Sequence, residues 1–492
     1  MRNYRAIQSL CRHSSLRLAT LASVLLLSAC QPSPEERLAA ANQYMATGDY
    51  PAAIIEVKNA LQADPDNAAA RALLAEASYR VADFETATDE YRRALAGDES
   101  IDNYLGLGRS LLRSGNAVEA FDSVHEHLPD SSDDERVHVL MGEIYSALGN
   151  YANAQAAFQR AVDIEPASVG GLVGMAVVTG AQGDTAQARS LLIKATEADP
   201  SAARAWTVLG NFERVAGNLD AATAAYKKAV ALDSPALPVS ERFEARAALI
   251  TTAIETRDLE LAEGELALLQ ALLPGHPTLN YLRGQLAFVQ GDADTAASEM
   301  QKYLSRVPND ARAQAVMGAI SYSQNHFSQA EMYLQQARLG NAGESGNRAV
   351  NRLLAETRLR LNRPDDALAI LSDSNASEID DPALLGLLGR AEFSAGNRAT
   401  AMEYFEQGRQ AAPDDLAINL MYAVALLTEG RNDDAVEVLE SLPPAADDTL
   451  HRRSMLLIAA QVRASDLTAA RATADELIAT NPEDAAAHAV VG

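Results

Sequence analysis

Small and apolar residues recur along the chain at a nearly constant interval. The most regular member is an alanine, found at Ala53, Ala87, Ala120, Ala154, Ala188, Ala222, Ala262, Ala296, Ala330, Ala367, Ala401, Ala435 and Ala470. Successive members lie 34, 33, 34, 34, 34, 40, 34, 34, 37, 34, 34 and 35 residues apart. A glycine or alanine usually lies twelve residues before this alanine, and in all but the last repeat an aromatic residue or an aliphatic residue larger than alanine lies four residues after it.

This register predicts pairs of helices rather than strands. Residues four apart lie on the same face of a helix, so the alanine and the following large residue form one apolar stripe. Small residues allow two helix backbones to approach closely, and a proline that often follows ends the second helix of each pair. One hairpin cannot bury its apolar face alone, so the hairpins must stack on one another.

The repeat around Trp206 resembles the tetratricopeptide repeat (TPR), with Gly210, Ala222, Tyr226 and Ala229 at its characteristic positions. The resemblance implies an all-α fold, a right-handed superhelical solenoid of about 13 helical hairpins over residues 34–484. Residues 485–492 are predicted to begin an incomplete fourteenth repeat. The two longest steps place insertions at residues 232–238 and 340–346, where we expect bends rather than domain boundaries.

The composition agrees with closely packed helices and excludes several kinds of site. Aromatic residues make up only 5% of the chain, so the core must consist mainly of alanine and aliphatic residues. The net charge of −26 argues against binding to nucleic acid. The two cysteines, Cys11 and Cys30, both lie near the N-terminus, so the repeats contain no thiolate metal site or disulfide.

The N-terminal 29 residues have the pattern of a signal peptide. Four arginines precede an apolar run at residues 18–27 that is too short to span a bilayer. Residues 27–30 resemble a bacterial lipobox, which implies cleavage before Cys30 and acylation of its thiol. Residues 30–33 would then form a short lipidated tether to a membrane, with Gln31 favouring the inner leaflet of an outer membrane and a periplasm-facing chain. An ordinary signal peptide with a chance cysteine is the alternative.

No catalytic, cofactor-binding or metal site is predicted, and we expect the chain not to be an enzyme. His125 and His127 are two residues apart and point to different faces of a helix. Residues 130–135 lack the pattern of a calcium loop, and Asp133 or Asp134 is better explained as a helix cap. Gly106 and Gly108 lack the preceding strand of a phosphate-binding loop.

The TPR resemblance implies that the first helices line a concave face, with repeat positions 2, 5, 9 and 12 directed into it. Those positions include Arg109, Arg136, Arg204, Arg214, Arg312, Arg352, Arg390 and Arg452. They also include Glu35, Glu76, Asp102, Glu143, Glu244 and Glu356. Aromatic residues predicted on the same face are Tyr79, Tyr281, Phe288, Tyr322 and Phe393. The hypothesis is a groove for an extended anionic peptide or polysaccharide, and a chance distribution of arginines is the alternative.

The opening repeat resembles a particular group of lipoproteins. Residues 46–61 read ATGDYPAAIIEVKNAL and residues 64–68 read DPDNA, as in TPR lipoproteins of the PEP-CTERM/exosortase system. This resemblance implies a scaffold for protein–protein interactions in exopolysaccharide secretion or exosortase-linked envelope assembly. The alternative function is a chaperone or adaptor lipoprotein that recruits cell-wall enzymes or outer-membrane assembly factors.

Overall fold

The computed structural model describes residues 32–128, 131–235, 237–340, 344–372, 381–442, 448–480 and 488. Within these ranges the regular secondary structure consists of 26 α-helices, with no β-strand. Consecutive helices pack as antiparallel pairs, which gives 13 helical hairpins in the described part of the chain. The all-α solenoid predicted from the register is therefore confirmed.

The chain divides into two compact units that meet between His276 and Pro277. The described residues of the first unit form seven hairpins. They are made by α1 (Pro34–Thr47), α2 (Tyr50–Ala63), α3 (Ala68–Arg80), α4 (Phe84–Leu95), α5 (Ile101–Arg113), α6 (Ala117–His125), α7 (Glu135–Ala147), α8 (Tyr151–Ile164), α9 (Val169–Ala181), α10 (Thr185–Ala198), α11 (Ala203–Val215), α12 (Leu219–Ala231), α13 (Val239–Glu255) and α14 (Leu259–Leu272).

The second unit contains six hairpins in the described residues. They are made by α15 (Pro277–Val289), α16 (Ala293–Leu304), α17 (Ala311–Ser323), α18 (Phe327–Leu339), α19 (Glu344–Arg360), α20 (Pro364–Leu371), α21 (Pro382–Ala395), α22 (Arg398–Ala411), α23 (Leu416–Thr428), α24 (Asn432–Glu440), α25 (Asp448–Arg463) and α26 (Leu467–Thr480). The unit boundary coincides with neither of the two longest steps in the register.

Aspartate and asparagine side chains cap the N-termini of many of the helices. The carboxylate of Asp49 accepts a hydrogen bond from the backbone N–H of Ala52, and Asp184 does the same for Gln187 at the equivalent turn. Asp134 caps α7, and it is one of the two residues in the acidic stretch that the sequence predicted as a helix cap. Such caps satisfy N–H groups that have no partner inside the helix. Part of the acidic excess of the chain therefore serves helix initiation.

The recurring alanines and glycines hold the helices together. Twelve of the thirteen register alanines are 0% exposed and Ala470 is 2% exposed. The ring of Phe158 lies between two glycines, because a β-carbon would approach it to within 2.5 Å at Gly142 and 2.2 Å at Gly174. Gly142 belongs to the first helix of the same repeat and Gly174 to the first helix of the next one. One aromatic ring therefore joins two successive hairpins.

Gly106 has the same structural role. A β-carbon at Gly106 would lie 2.2 Å from the ring of Tyr91, in the interior of α5. Close helix packing therefore explains Gly106, for which a phosphate-binding loop was the other interpretation.

Within each unit, the first helices of neighbouring repeats pack against one another, whereas the second helices are further apart. Stacked hairpins are therefore closer together at their first helices than at their second helices, so the first helices form the inner, concave face. This is the face that the resemblance to TPR proteins implied.

Some sequence predictions lie outside the described residues. The predicted signal peptide, Cys30 and most of residues 485–492 fall in this category. Of the tether, Pro32 and Ser33 are described, and Ser33 caps α1 through a reciprocal pair of hydrogen bonds with Glu36.

We predict that Gly210→Ala lowers the free energy of unfolding by about 1–3 kcal/mol, since the new methyl group overpacks a closed contact. Its β-carbon would lie 2.5 Å from the ring of Tyr226, which is fully buried. Gly264→Ala is the matched control, because nothing lies within 4 Å of that position in α14. It should leave stability unchanged or raise it by up to about 1 kcal/mol. Urea unfolding followed by circular dichroism measures both, and equal effects would contradict the packing assignment.

Candidate binding surfaces

The concave face of the first unit encloses a cleft of about 400 Å³, which we call the inner chamber. Its wall comes mainly from first helices α3, α5, α7, α9, α11 and α13, six consecutive repeats. The charged and phenolic side chains in this wall are Tyr79, Arg109, Arg113, Glu143, Arg204, Glu241 and Glu244. Tyr79, Arg109 and Arg204 were predicted on this face, and the structure brings them together.

Two contacts join distant repeats of the first unit. Pro235 lies against the turn between α1 and α2, so closely that a β-carbon at Gly48 would be 2.5 Å from its carbonyl group. Arg113 and Glu244, which are 131 residues apart, form an ion pair at 2.5 Å. Pro235 thus contacts the first repeat of the unit, and the seventh repeat contacts the third.

Ion pairs fix the insertion in this position. Arg242 and Arg246 both donate hydrogen bonds to the carboxylate of Asp233, and Arg246 also pairs with Glu265. Burial alone would raise the pKa of Asp233, but the hydrogen bonds from the two guanidinium groups outweigh it and the pKa lies below its ordinary value. Helix α13 is also longer than most first helices, at 17 residues, and its first turns extend into the chamber.

Charges in the chamber wall are partly paired. Arg204 donates a hydrogen bond of 2.6 Å to Glu143, and its side chain is still 55% exposed because it projects into the open space of the chamber. The carboxylate of Glu143 raises the pKa of Arg204, which stays cationic. Burial raises the pKa of Glu241 and of the Tyr79 phenol.

The second unit carries a different surface, which we call the apolar trough. It has a volume of about 530 Å³ and is formed mainly by first helices α21, α23 and α25. Its lining is Arg390, Phe393, Ser394, Phe405, Leu420, Met421, Val424, Ala425, Arg452, Met455 and Leu456. Val424 is 43% exposed, so the trough presents aliphatic surface to solvent. Arg390 and Phe393 were predicted on this face.

A ladder of polar side chains runs along the inner face beside the trough. Glu356 accepts two hydrogen bonds from Arg390, at 2.6 and 3.0 Å, and one from the hydroxyl of Tyr322 at 3.2 Å. The three residues are 34 positions apart and occupy equivalent sites on α17, α19 and α21. Val424 is the next member of this series and lies in the trough.

The other predicted groove residues are divided between ion pairs and packing. Arg214 pairs with Glu255 at 3.2 Å, and Arg352 pairs with Asp381. Arg312 is 75% exposed and only approaches Asp310 at 4.0 Å.

Two predicted aromatic residues pack at the edge of a core cluster. Tyr281 accepts a hydrogen bond from Gln285, and its ring lies 5.2 Å from that of Tyr303. Phe288 packs against the same cluster.

Of the predicted groove residues, some therefore line the two surfaces and others line neither. Tyr79, Arg109 and Arg204 line the inner chamber, and Arg390, Phe393 and Arg452 line the apolar trough. The lining of both surfaces lacks Arg214, Tyr281, Phe288, Arg312, Tyr322 and Arg352.

Several lining residues were not predicted. Arg113 lies 34 residues after Tyr79, so the repeat register contains the signal that would have found it. Glu241 lies on the extension of α13 that follows an insertion, and no register position corresponds to it. The apolar members Met421, Val424 and Met455 fall on the inner face. They are neither charged nor aromatic, so their residue types do not distinguish them from the core in the sequence.

The histidines and acidic residues show no metal site among the described residues. His125 ends α6 and its ring stacks on Phe121, while His127 stacks on Tyr104. Both imidazoles are exposed. None of the described helices combines the length and the apolar character required to cross a bilayer.

A stack of helical hairpins with its first helices on an inner binding face defines a helical repeat protein. Sequence profiles of the tetratricopeptide repeat match residues 38–103, 135–168, 174–236, 247–311 and 392–457, which together make up more than half of the chain. The chain belongs to the tetratricopeptide repeat family. Proteins of this family bind protein partners, and the fold is typical of non-catalytic scaffolds.

Two characterised proteins share part of the sequence. Cellulose synthase 2 operon protein C of Komagataeibacter xylinus is 28% identical over 294 residues, which are 58% of this chain and 20% of that protein. Superkiller complex protein 3 of Mus musculus is 27% identical over 271 residues, 52% of this chain and 17% of that protein. The chain therefore spans about a fifth of the length of these relatives.

Solved structures resemble the chain at lower sequence identity. A chain of the APC/C hetero-tetramer Cut9–Hcn1 is 13% identical with a TM-score of 0.49, covering 95% of this chain and 97% of that one. The type IV pilus biogenesis factor PilW is 18% identical with a TM-score of 0.38, covering 45% of this chain and 99% of that one.

We predict that Gly48→Ala disrupts the contact between Pro235 and the first repeat. Gly48 has φ +76° and Gly149 has φ +74°, so alanine at either position costs about 1–2 kcal/mol of backbone strain. Only Gly48 has a neighbour within 4 Å, Pro235, and its substitution should lower the free energy of unfolding by a further 1–3 kcal/mol or so. Urea unfolding of the two variants measures this difference. Equal destabilisation would show that Pro235 does not lie against Gly48 in solution.

Proposed function

We propose that this protein is a lipid-anchored periplasmic scaffold that binds segments of partner proteins in exopolysaccharide secretion. Its repeats bind the partner proteins, and the acylated Cys30 attaches the repeats to the inner leaflet of the outer membrane. Exosortase-linked assembly of the envelope is a related role that the opening repeat also favours.

The observation that carries the binding role is the apolar trough. A concave surface lined mainly by apolar side chains, with a few polar groups among them, is typical of binding sites. Methionine side chains such as Met421 and Met455 are flexible and polarizable, so they adapt to partners of different shape. Arg452 adds positive charge to the same surface, whereas the charge of Arg390 is paired with Glu356. The trough therefore suits an apolar peptide segment that carries an acidic group.

The pathway is supported by the relative from Komagataeibacter xylinus, a protein named for a cellulose synthase operon. That protein is about five times longer than the shared segment, so its similarity supports the pathway without extending to its other parts. The resemblance of residues 46–68 to exosortase-system lipoproteins leads in the same direction. Membrane attachment is supported by the signal-peptide pattern and by the position of Cys30 directly after it.

A photo-crosslinking amino acid at position Val424 tests the binding surface in intact cells. It should form covalent adducts with proteins of the exopolysaccharide secretion machinery, identified by mass spectrometry. Position Met332 is the matched control, since it is 46% exposed against 43% for Val424 but lies on the second helix α18. Equal adducts at the two positions would contradict a binding trough. Adducts with cell-wall enzymes instead would contradict the proposed pathway and favour the adaptor function.

The lipid anchor is tested by metabolic labelling with palmitate. We expect Cys30→Ser to abolish labelling and to release the protein from the membrane fraction, because acyl chains are what hold it there. Cys11→Ser is the matched control and should label normally, since it lies inside the segment that is cleaved. Unchanged labelling of the Cys30→Ser variant would contradict lipidation at this cysteine.

A further inference from the structure

The inner chamber differs from the apolar trough in its charge. Two of its arginines are neutralised within the wall, Arg113 by Glu244 and Arg204 by Glu143. Two opposite charges lining the same cleft are left over. Arg109 forms no ion pair with the described residues, and Glu241 has neither an ion pair nor a hydrogen bond to its carboxylate among them.

The guanidinium of Arg109 is held in place by the protein. Its Nε donates a hydrogen bond of 3.2 Å to the carbonyl of Leu105, one turn earlier on α5. Its other N–H groups are available to a ligand, and a guanidinium binds a carboxylate through two parallel hydrogen bonds. Arg109 is exposed to the chamber, so an incoming anion reaches it without any rearrangement of the wall.

Glu241 supplies the opposite charge on α13. Its carboxylate is half-buried, and burial raises its pKa because the charged form loses hydration. An ammonium group would restore the lost stabilisation. The charged neighbours Arg204, Arg113 and Arg80 act on Glu241 from a distance, and Glu244 opposes them.

Aliphatic side chains lie in the same cleft as these two charges. Val177 is 51% exposed although it belongs to a helix in the interior of the unit, and Val173, Val208 and Leu112 also line the chamber. The aromatic rings in the wall offer little flat surface, since Phe158 is 2% exposed and the ring of Tyr79 packs edge-on against Phe84. Small aliphatic groups fit this lining better than sugar rings, which stack on exposed aromatic faces.

We propose that the inner chamber binds a short zwitterionic peptide of small apolar residues. Its terminal carboxylate pairs with Arg109, its terminal ammonium pairs with Glu241, and its side chains contact Val177 and Val208. The chamber volume of about 400 Å³ lies within the range of small-molecule sites. This site is additional to the partner-binding role of the trough and lies in the other unit.

Ligand binding is linked to the stability of the unit. Glu241 lines the chamber on the same helix as Glu244, whose carboxylate pairs with Arg113 of the third repeat. A ligand that bridges Arg109 and Glu241 stabilises the folded chain by mass action. Binding therefore has a second readout, an increase in the urea concentration at the midpoint of unfolding.

Calorimetric titration of the full chain with trialanine tests the site. Trialanine should bind, and the same peptide with its N-terminus acetylated, its C-terminus amidated, or both should bind at least about 10-fold more weakly. Weakening by both single caps shows that both termini are recognised. If only one cap matters, the ligand is the end of a longer chain and the zwitterion proposal is overturned.

Charge-removing variants locate the binding site. Arg109→Gln and Glu241→Gln should each weaken trialanine binding at least about 10-fold and abolish the shift in the unfolding midpoint. Arg160→Gln is the matched control, an exposed arginine on the second helix α8, and should bind as the parent protein does. Circular dichroism establishes that each variant is folded. Unweakened binding by folded Arg109→Gln and Glu241→Gln variants would overturn the proposal.

Discussion

The close approach of helix backbones at alanine and glycine positions is the constraint on which the structure depends. An aromatic ring such as Phe158 fits between Gly142 and Gly174 only because neither carries a side chain. The same contact, repeated from hairpin to hairpin, buries a core that contains few aromatic residues. It also sets the stacking of the hairpins, since first helices meet their neighbours and second helices spread apart. The inner face is therefore a consequence of packing.

The inner faces of the two units carry different side chains. In the first unit, Pro235 of an insertion contacts Gly48, and the concave face forms a chamber lined by arginines and carboxylates. In the second unit, aliphatic and methionine side chains predominate beside two arginines, and Val424 is exposed. One repeat scaffold can hold different surfaces because the packing positions and the inner-face positions are different residues.

The repeat register predicted the fold because packing requires a small residue at the same place in every hairpin, as at Ala53 and its equivalents. It predicted that the first helices line the inner face, but not which side chains contact one another across that face. The contact of Pro235 with Gly48 depends on an insertion outside the register, and Glu241 enters the chamber on the helix that follows it. Long-range closure is a property of accumulated curvature, which single repeats do not encode.

Methionine oxidation measures occupancy of the binding face most directly, because it needs no substitution. Met421 and Met455 line the trough, whereas Met332 lies exposed on a second helix. Brief peroxide treatment of native envelopes and of the purified chain, read by mass spectrometry, compares their sulfoxide fractions. We predict that Met421 and Met455 are protected in envelopes relative to the purified chain, while Met332 oxidises equally in both. Equal oxidation of all three methionines in the two samples would contradict the claim that the inner face holds a partner.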